Sequence, residues 1–65
     1  MQTWFKFDAY DDEEPSHTAL IITEDGETRI EWWHEDVGLV STVNASSVRN
    51  AERWLTDRGY IDYTA

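Results

Sequence analysis

A two-residue turn at Asp25-Gly26, set between two strand-like runs, constrains the fold of this chain more than any other feature. A two-residue hairpin loop needs positive φ at both positions, and Asp-Gly is one of the pairs that adopt it most readily. The flanking segments, residues 18–24 and 27–34, are rich in β-branched and aromatic side chains. The sequence therefore predicts an antiparallel hairpin.

The length of this turn also fixes the register of the hairpin, because residues equally distant from the turn lie opposite one another. One face is expected to line the core and carries the pairs Ile21–Ile30, Ala19–Trp32 and Thr23–Thr28. The other face carries the pairs Ile22–Arg29, Leu20–Glu31 and Thr18–Trp33. This second face is not cleanly polar, so it needs either a covering element or a partner.

Further segments complete a predicted meander. Residues 3–10 alternate as a half-buried strand, with Trp4 on the side opposite the two phenylalanines. Residues 11–17 are predicted to form a loop, because four consecutive acids repel one another and Pro15 has no N–H for a strand ladder. Residues 39–43 are predicted to form a short fourth strand.

A helix is predicted near the C-terminus, capped by Asn44 or Ser46 and ended by Gly59. Its apolar residues share one stripe at 100° per residue: Val48, Ala51, Trp54 and Leu55. Residues 60–65 form either a closing strand or a tail. The predicted fold class is α+β, an antiparallel β-meander of three to four strands with one C-terminal α-helix packed on one face, in a single domain spanning residues 1–65.

The charge of the chain excludes some kinds of partner. Fourteen acidic residues stand against five Lys and Arg, which gives a formal net charge of -9 over 65 residues. Such a protein is repelled by nucleic acid and by anionic membrane surfaces, so we expect no direct contact with either. There is no cysteine and no apolar run long enough to cross a bilayer, and we expect a cytoplasmic protein.

The excess negative charge is confined to one part of the chain. Residues 1–36 contain eleven acids and two bases, whereas residues 37–65 contain three of each. We interpret the acidic residues of the predicted sheet and its first loop as a partner-binding surface: Asp11, Asp12, Glu13, Glu14, Glu24, Glu27, Glu31 and Glu35. Carboxylates two residues apart on a strand lie roughly 6.6 Å from one another, similar to neighbouring phosphates on a DNA strand.

This acidic surface suggests an inhibitor that mimics nucleic acid and occupies the basic groove of a DNA- or RNA-handling or host-defence protein. In size and charge the chain resembles the small phage proteins that inhibit such enzymes, although no motif matches a particular family. An alternative interpretation is an adaptor or dimerisation protein of a salt-adapted organism, in which the acids maintain solubility.

A second candidate surface is apolar. The residues Trp4, Leu20, Ile22 and Trp33 are predicted on the face opposite the core. Aromatic side chains mixed with Lys, Arg and Glu have the composition of an interface, so this face is expected to bind a protein partner or a second copy in a homodimer. The alternative is that the fourth strand or the C-terminal segment covers it.

Catalytic and cofactor chemistry is not expected. His17 and His34 are predicted to pair across the hairpin, but two histidines without a spaced set of further ligands are weak grounds for a metal site. The sequence contains no phosphate-binding glycine loop, no nucleophile elbow and no cysteine nucleophile. The sequence therefore predicts a non-enzymatic, protein-binding module without a cofactor.

Overall fold

The protein folds as a five-stranded antiparallel sheet with one helix on one face, which confirms the predicted α+β meander. A computed structural model describes residues 1–8 and 10–64, without the side chains of Asp11 and Asp12. The elements in chain order are β1 Gln2–Asp8, β2 Asp11–Glu24, β3 Glu27–His34, β4 Gly38–Ala45, α1 Val48–Asp57 and β5 Ile61–Asp62. The strand order across the sheet is β4-β3-β2-β1-β5. Within the described residues, no helix is both long and apolar enough to span a bilayer.

The β2–β3 hairpin has the predicted turn and register. Asp25 has φ 53° and Gly26 has φ 79°, as a two-residue turn of this kind requires. Every predicted cross-strand pair is observed, including Ile21 with Ile30 at the centre of the core. The local turn geometry therefore determines which side chains of these two strands point inward.

The predicted loop over residues 11–17 is wrong, because β2 already begins at Asp11. Two register shifts between Lys6 and Asp8 let the chain place extra residues on β2 while pairing with β1 continues. Pro15 is tolerated because β3 ends opposite His17, so this part of β2 has a ladder partner on one side only. The predicted first strand included Ala9 and the predicted closing segment included Ala65, and both lie outside the described residues.

The helix cap lies one position after Ser46, the nearer of the two predicted residues. Ser47 is the N-cap, and its hydroxyl accepts a hydrogen bond from the backbone N–H of Asn50 at 3.1 Å. Asn44 belongs to β4 and Ser46 precedes the cap, so neither has the predicted role. Gly59 follows the helix with φ 86°, as predicted for the residue that ends it.

The helix packs its predicted stripe against the sheet. Ala51 and Leu55 are fully buried, and Val48 and Trp54 pack at the margin of the same core. The Trp54 ring lies 5.2 Å from that of Trp32, measured between centroids. The buried core consists of Trp4, Ala19, Ile21, Ile30, Ala51, Leu55 and Tyr60.

Trp4 lies in this core, so its predicted position on the opposite face is wrong. It pairs with Ala19 on β2 and its side chain is only 6% exposed. Its indole N–H donates to the side-chain oxygen of Gln2 at 2.9 Å, which satisfies the polar atom of the ring. Alternation within β1 could not show which of its sides faces the helix, because that depends on its pairing with β2.

Replacing Trp4 and Trp33 separately tests on which face of the sheet each side chain lies. Trp4→Ala is expected to lower the free energy of unfolding by about 3–5 kcal/mol, because it leaves a cavity under the helix. Trp33→Ala, which truncates a ring that is 39% exposed, is expected to cost about 1–2 kcal/mol. Urea unfolding measures both free energies. Equal losses of stability in the two variants would contradict the placement of Trp4 in the core and Trp33 on the opposite face.

Candidate protein-interaction face

The face of the sheet opposite the helix remains uncovered in the part of the chain that the structure describes. Helix α1 contacts β2, β3 and β4 from the other side, where the core lies. We call the uncovered surface the open face, and define it by its apolar residues: Phe5, Phe7, Leu20, Ile22, Trp33, Leu39, Ile61 and Tyr63. The open face spans the sheet from β4 to β5.

Several side chains of the open face are substantially exposed. Trp33 is 39% exposed and Leu39, its partner on β4, is 49% exposed. At the other edge, Ile61 is 54% and Tyr63 is 51% exposed. Several apolar residues exposed on one face, unlike a single exposed residue, are typical of a binding surface.

An aromatic cluster occupies the β1–β5 side of the open face. The Tyr63 ring lies 5.0 Å from that of Phe5 and 5.9 Å from that of Phe7, measured between centroids. The backbone N–H of Tyr63 donates to the carbonyl of Thr3 at 2.9 Å, which holds the ring over β1. These rings give this side of the open face an aromatic apolar area, to which Tyr63 adds a phenolic hydroxyl.

Charged residues lie on the same face, toward the Asp25–Gly26 turn. The Arg29 guanidinium is 3.1 Å from a carboxylate oxygen of Glu24 and 3.1 Å from one of Glu31. Hydrogen bonds to these two carboxylates raise the pKa of Arg29 further above its ordinary range. Glu27 is the strand partner of Glu24 and is exposed. The acidic residues near the turn therefore surround a cation.

The eight predicted acidic residues do not form one row. Glu24, Glu27 and Glu31 lie on the open face near the Asp25–Gly26 turn. Glu13 and Glu14 are exposed on the first part of β2, at the opposite end of the sheet, and Glu35 is exposed in the turn that follows β3 at that end. The strand backbone of Asp11 and Asp12 belongs to the same region, while their side chains lie outside the described atoms.

Three of the four residues predicted to form an apolar interface lie together on the open face. Leu20 and Ile22 are partly exposed there, and Trp33 lies beside them, whereas Trp4 is buried on the other side of the sheet. Sequence reasoning missed the other apolar residues of this face: Phe5, Phe7, Leu39, Ile61 and Tyr63. The alternation of Phe5 and Phe7 placed them on a common side, but only the pairing of β1 with β2 and β5 assigns that side.

The two histidines pair across the hairpin, as the register predicted, and lie on the helix side of the sheet. Their ring centroids are 4.7 Å apart. Nδ1 of His17 lies 2.9 Å from the hydroxyl of Ser16, and Nδ1 of His34 accepts from the backbone N–H of Asp36 at 3.2 Å. Among the described residues, no group of three or more His, Cys, Asp or Glu side chains is arranged to hold a metal ion.

The environment of His17 makes its charged form unfavourable. Burial lowers the pKa of His17 below its ordinary value of 6.5, and the charges of His34 and Lys6 lower it further. Asp8 and Glu35 act in the opposite direction but do not cancel these effects. Since the folded state then binds fewer protons than the unfolded chain, protonation of His17 favours unfolding.

Stability is therefore expected to fall as the pH drops through and below 6.5, the ordinary pKa of His17. His17→Gln should reduce the drop in melting temperature between about pH 7.5 and about pH 5.5, since the variant has no group at position 17 to titrate. His34→Gln, which removes one cause of the lowered pKa of His17, should reduce this drop in melting temperature less than His17→Gln does. An unchanged drop in His17→Gln would contradict this assignment.

A shallow depression of about 250 Å³ lies beside the open face at the hairpin end. Its lining consists of Gly26, Glu27, Thr28, Asn44, Ala45 and Ser46. Glu27 is the one ionisable side chain in this lining, whereas acid–base catalysis by carboxylates uses two with different environments. The open face is thus the stronger candidate for function.

Comparison with known proteins does not change this choice. No protein-family model, curated protein or solved structure matches the chain. The function is therefore inferred from the chemistry of the open face and its surroundings.

The Arg29 ion pairs allow a direct test of the electrostatics of this face. Arg29→Gln is expected to lower the melting temperature by a few degrees at low salt, because Glu24, Glu27 and Glu31 then repel one another. The loss should shrink in high salt, which screens exposed charges. Arg49→Gln on the exposed side of the helix removes the same formal charge and serves as the control. Equal salt dependence in both variants would argue against a local effect.

Proposed function

We propose that this protein is a non-enzymatic binding module that docks another protein on its open face. The observation that carries the proposal is the uncovered aromatic and aliphatic surface beside the Arg29 ion-pair cluster. Trp, Tyr and Arg, which this face presents as Trp33, Tyr63 and Arg29, are the residue types that dominate binding energy at protein interfaces.

The charge of the chain indicates the chemistry of the partner. The margin of the open face near the turn carries Glu24, Glu27 and Glu31, of which Arg29 contacts two. A complementary surface would be apolar at its centre and basic at the margin that meets these carboxylates. Association with such a partner is expected to be fast at low salt and slower as salt rises, because opposite charges steer the encounter.

Partner capture with matched variants tests the proposal. The wild type, Trp33→Ser and a helix variant, Arg53→Ser, are immobilised and exposed to extract from the native host. A protein retained by the wild type and by Arg53→Ser but lost from Trp33→Ser would support binding through the open face. Arg53 is suitable because it is exposed on the helix, away from that face.

The affinity of the captured protein then gives a quantitative check. Trp33→Ala is expected to weaken binding by roughly 30-fold or more, the effect of an interface residue that contributes about 2 kcal/mol. Titration calorimetry measures this change, and circular dichroism confirms that the variant is folded. Binding that Trp33→Ala leaves unaltered would overturn the proposal.

Nucleic-acid mimicry is the second candidate function. The observation that favours it is the group of Glu24, Asp25 and Glu27, three exposed carboxylates within one hairpin turn. In this version the partner is a basic DNA- or RNA-handling or host-defence protein, and the module inhibits it by occupying its groove. The Arg29 ion pairs weigh against it, because they neutralise part of this surface.

Competition separates mimicry from apolar docking. A mimic should displace duplex DNA from a purified basic nuclease or polymerase, with affinity that falls steeply between about 50 and about 200 mM salt. Replacing Glu24 and Glu27 by Gln should abolish the competition, whereas Trp33→Ser should leave it intact. If Trp33→Ser abolishes the competition and the Glu24 and Glu27 replacements leave it intact, docking on the apolar part of the open face is supported instead.

We place this binding role in the cytoplasm. The absence of cysteine from the sequence supports that location, because a small secreted domain commonly relies on disulfides.

A further inference from the structure

The two edge strands of the sheet differ in how well they are protected against pairing with a strand of another molecule. At one edge, β5 has only two residues and carries Asp62. At the other edge, β4 has eight residues, Gly38–Ala45, and none of them is charged or a proline. Proteins usually blunt an edge strand by shortening it or by placing charges or Pro on it, since unpaired N–H and C=O groups accept another strand.

One protective device is present on β4, and it affects only the first half of the strand. Ser41 pairs with Trp32 and Leu39 pairs with Trp33, which leaves Val40 as an extra residue in a bulge. From Ser41 to Ala45 the pairing with β3 is regular. This stretch has one side hydrogen-bonded to β3, and its other side is the outer boundary of the sheet.

We propose that a second copy of this chain pairs with β4, antiparallel and about a twofold axis, through residues 41–45. Identical edges are self-complementary in this arrangement, because each strand offers the same donors and acceptors in reverse order. This interface is separate from the open face, so the inference does not rest on the proposed partner binding.

Charge favours a copy of this chain at β4 over the rest of the molecule. The chain has a net charge of -9, so two copies repel one another at most surfaces. Every other strand contains at least one acidic residue, whereas all fourteen acids lie outside β4. Among the five strands that the structure describes, β4 alone adds no negative charge of its own, so two copies that approach along β4 meet the least repulsion from their strands.

The twofold arrangement has a defined geometry. The symmetry axis of an antiparallel strand pair runs perpendicular to the sheet, so the dimer would be a continuous ten-stranded sheet with both helices on one side. The two open faces would then form one surface on the other side. With residues 41–45 of the two copies paired, Val43 would lie opposite its counterpart at the axis, and Thr42, which is exposed, would lie opposite Asn44 of the other copy.

Sedimentation of the full chain from low to high micromolar concentration tests the proposal. The wild type should show a monomer–dimer equilibrium. Introducing Lys, the residue that commonly protects natural edges, at Val40 and Thr42 should raise the dimer dissociation constant by at least about tenfold. The control variant, Thr23→Lys with Thr56→Lys, gains the same two charges at exposed positions outside β4 and should dimerise at least as well as the wild type.

A second measurement locates the interface. Hydrogen exchange of the β4 backbone amides should slow as the wild type dimerises and should not change in the edge variant. Tyr63→Ser, which alters the open face far from β4, should leave the dimer intact even if partner binding is lost. A wild type that stays monomeric throughout, or a dimer that persists in the edge variant or lacks β4 protection, would overturn the proposal.

Discussion

A single short helix cannot cover both faces of this sheet, and the rest of the structure follows from that constraint. Ten residues of α-helix span about 15 Å, and five strands set about 4.8 Å apart extend over roughly 19 Å. The helix therefore seals one face, where Ile21, Ile30 and Leu55 are fully buried. Among the described residues, no further element packs against the apolar residues on the other face. The same amino-acid composition thus produces both the core and the open face.

The sequence predicted those features that depend on neighbours along the chain. The Asp25–Gly26 turn determined the register of β2 against β3, and the 100° stripe identified Ala51 and Leu55 as the buried side of the helix. Trp4 was misplaced because the side of β1 that faces inward is decided by pairing with β2, which no local pattern reveals. Residues 11–17 were misassigned because charge repulsion and Pro15 are compatible with a strand that has a partner on one side only.

The candidate site was predictable to a similar extent. Leu20, Ile22 and Trp33 were placed correctly because the hairpin register places them. The aromatic cluster around Tyr63 was not predicted, since it unites β1 with β5 across almost the whole length of the chain. The ion pairs of Arg29 follow from alternation once the strands are known, yet charge counting alone treated the surrounding acids as one negative surface.

Strand β5 also affects how the domain assembles. The other strand pairs join segments adjacent in sequence, so each closes a short loop, whereas β5 must return to β1 across about sixty residues. Long loops are costly to close before stabilising contacts exist. Only two residues of β5 pair with β1, so little ladder stabilises this return. We therefore expect the contact between Tyr63 and Phe5 to be among the last to form on folding and among the first to be lost in local opening. In this respect the β5 side of the open face is expected to be kinetically separate from the core beneath it.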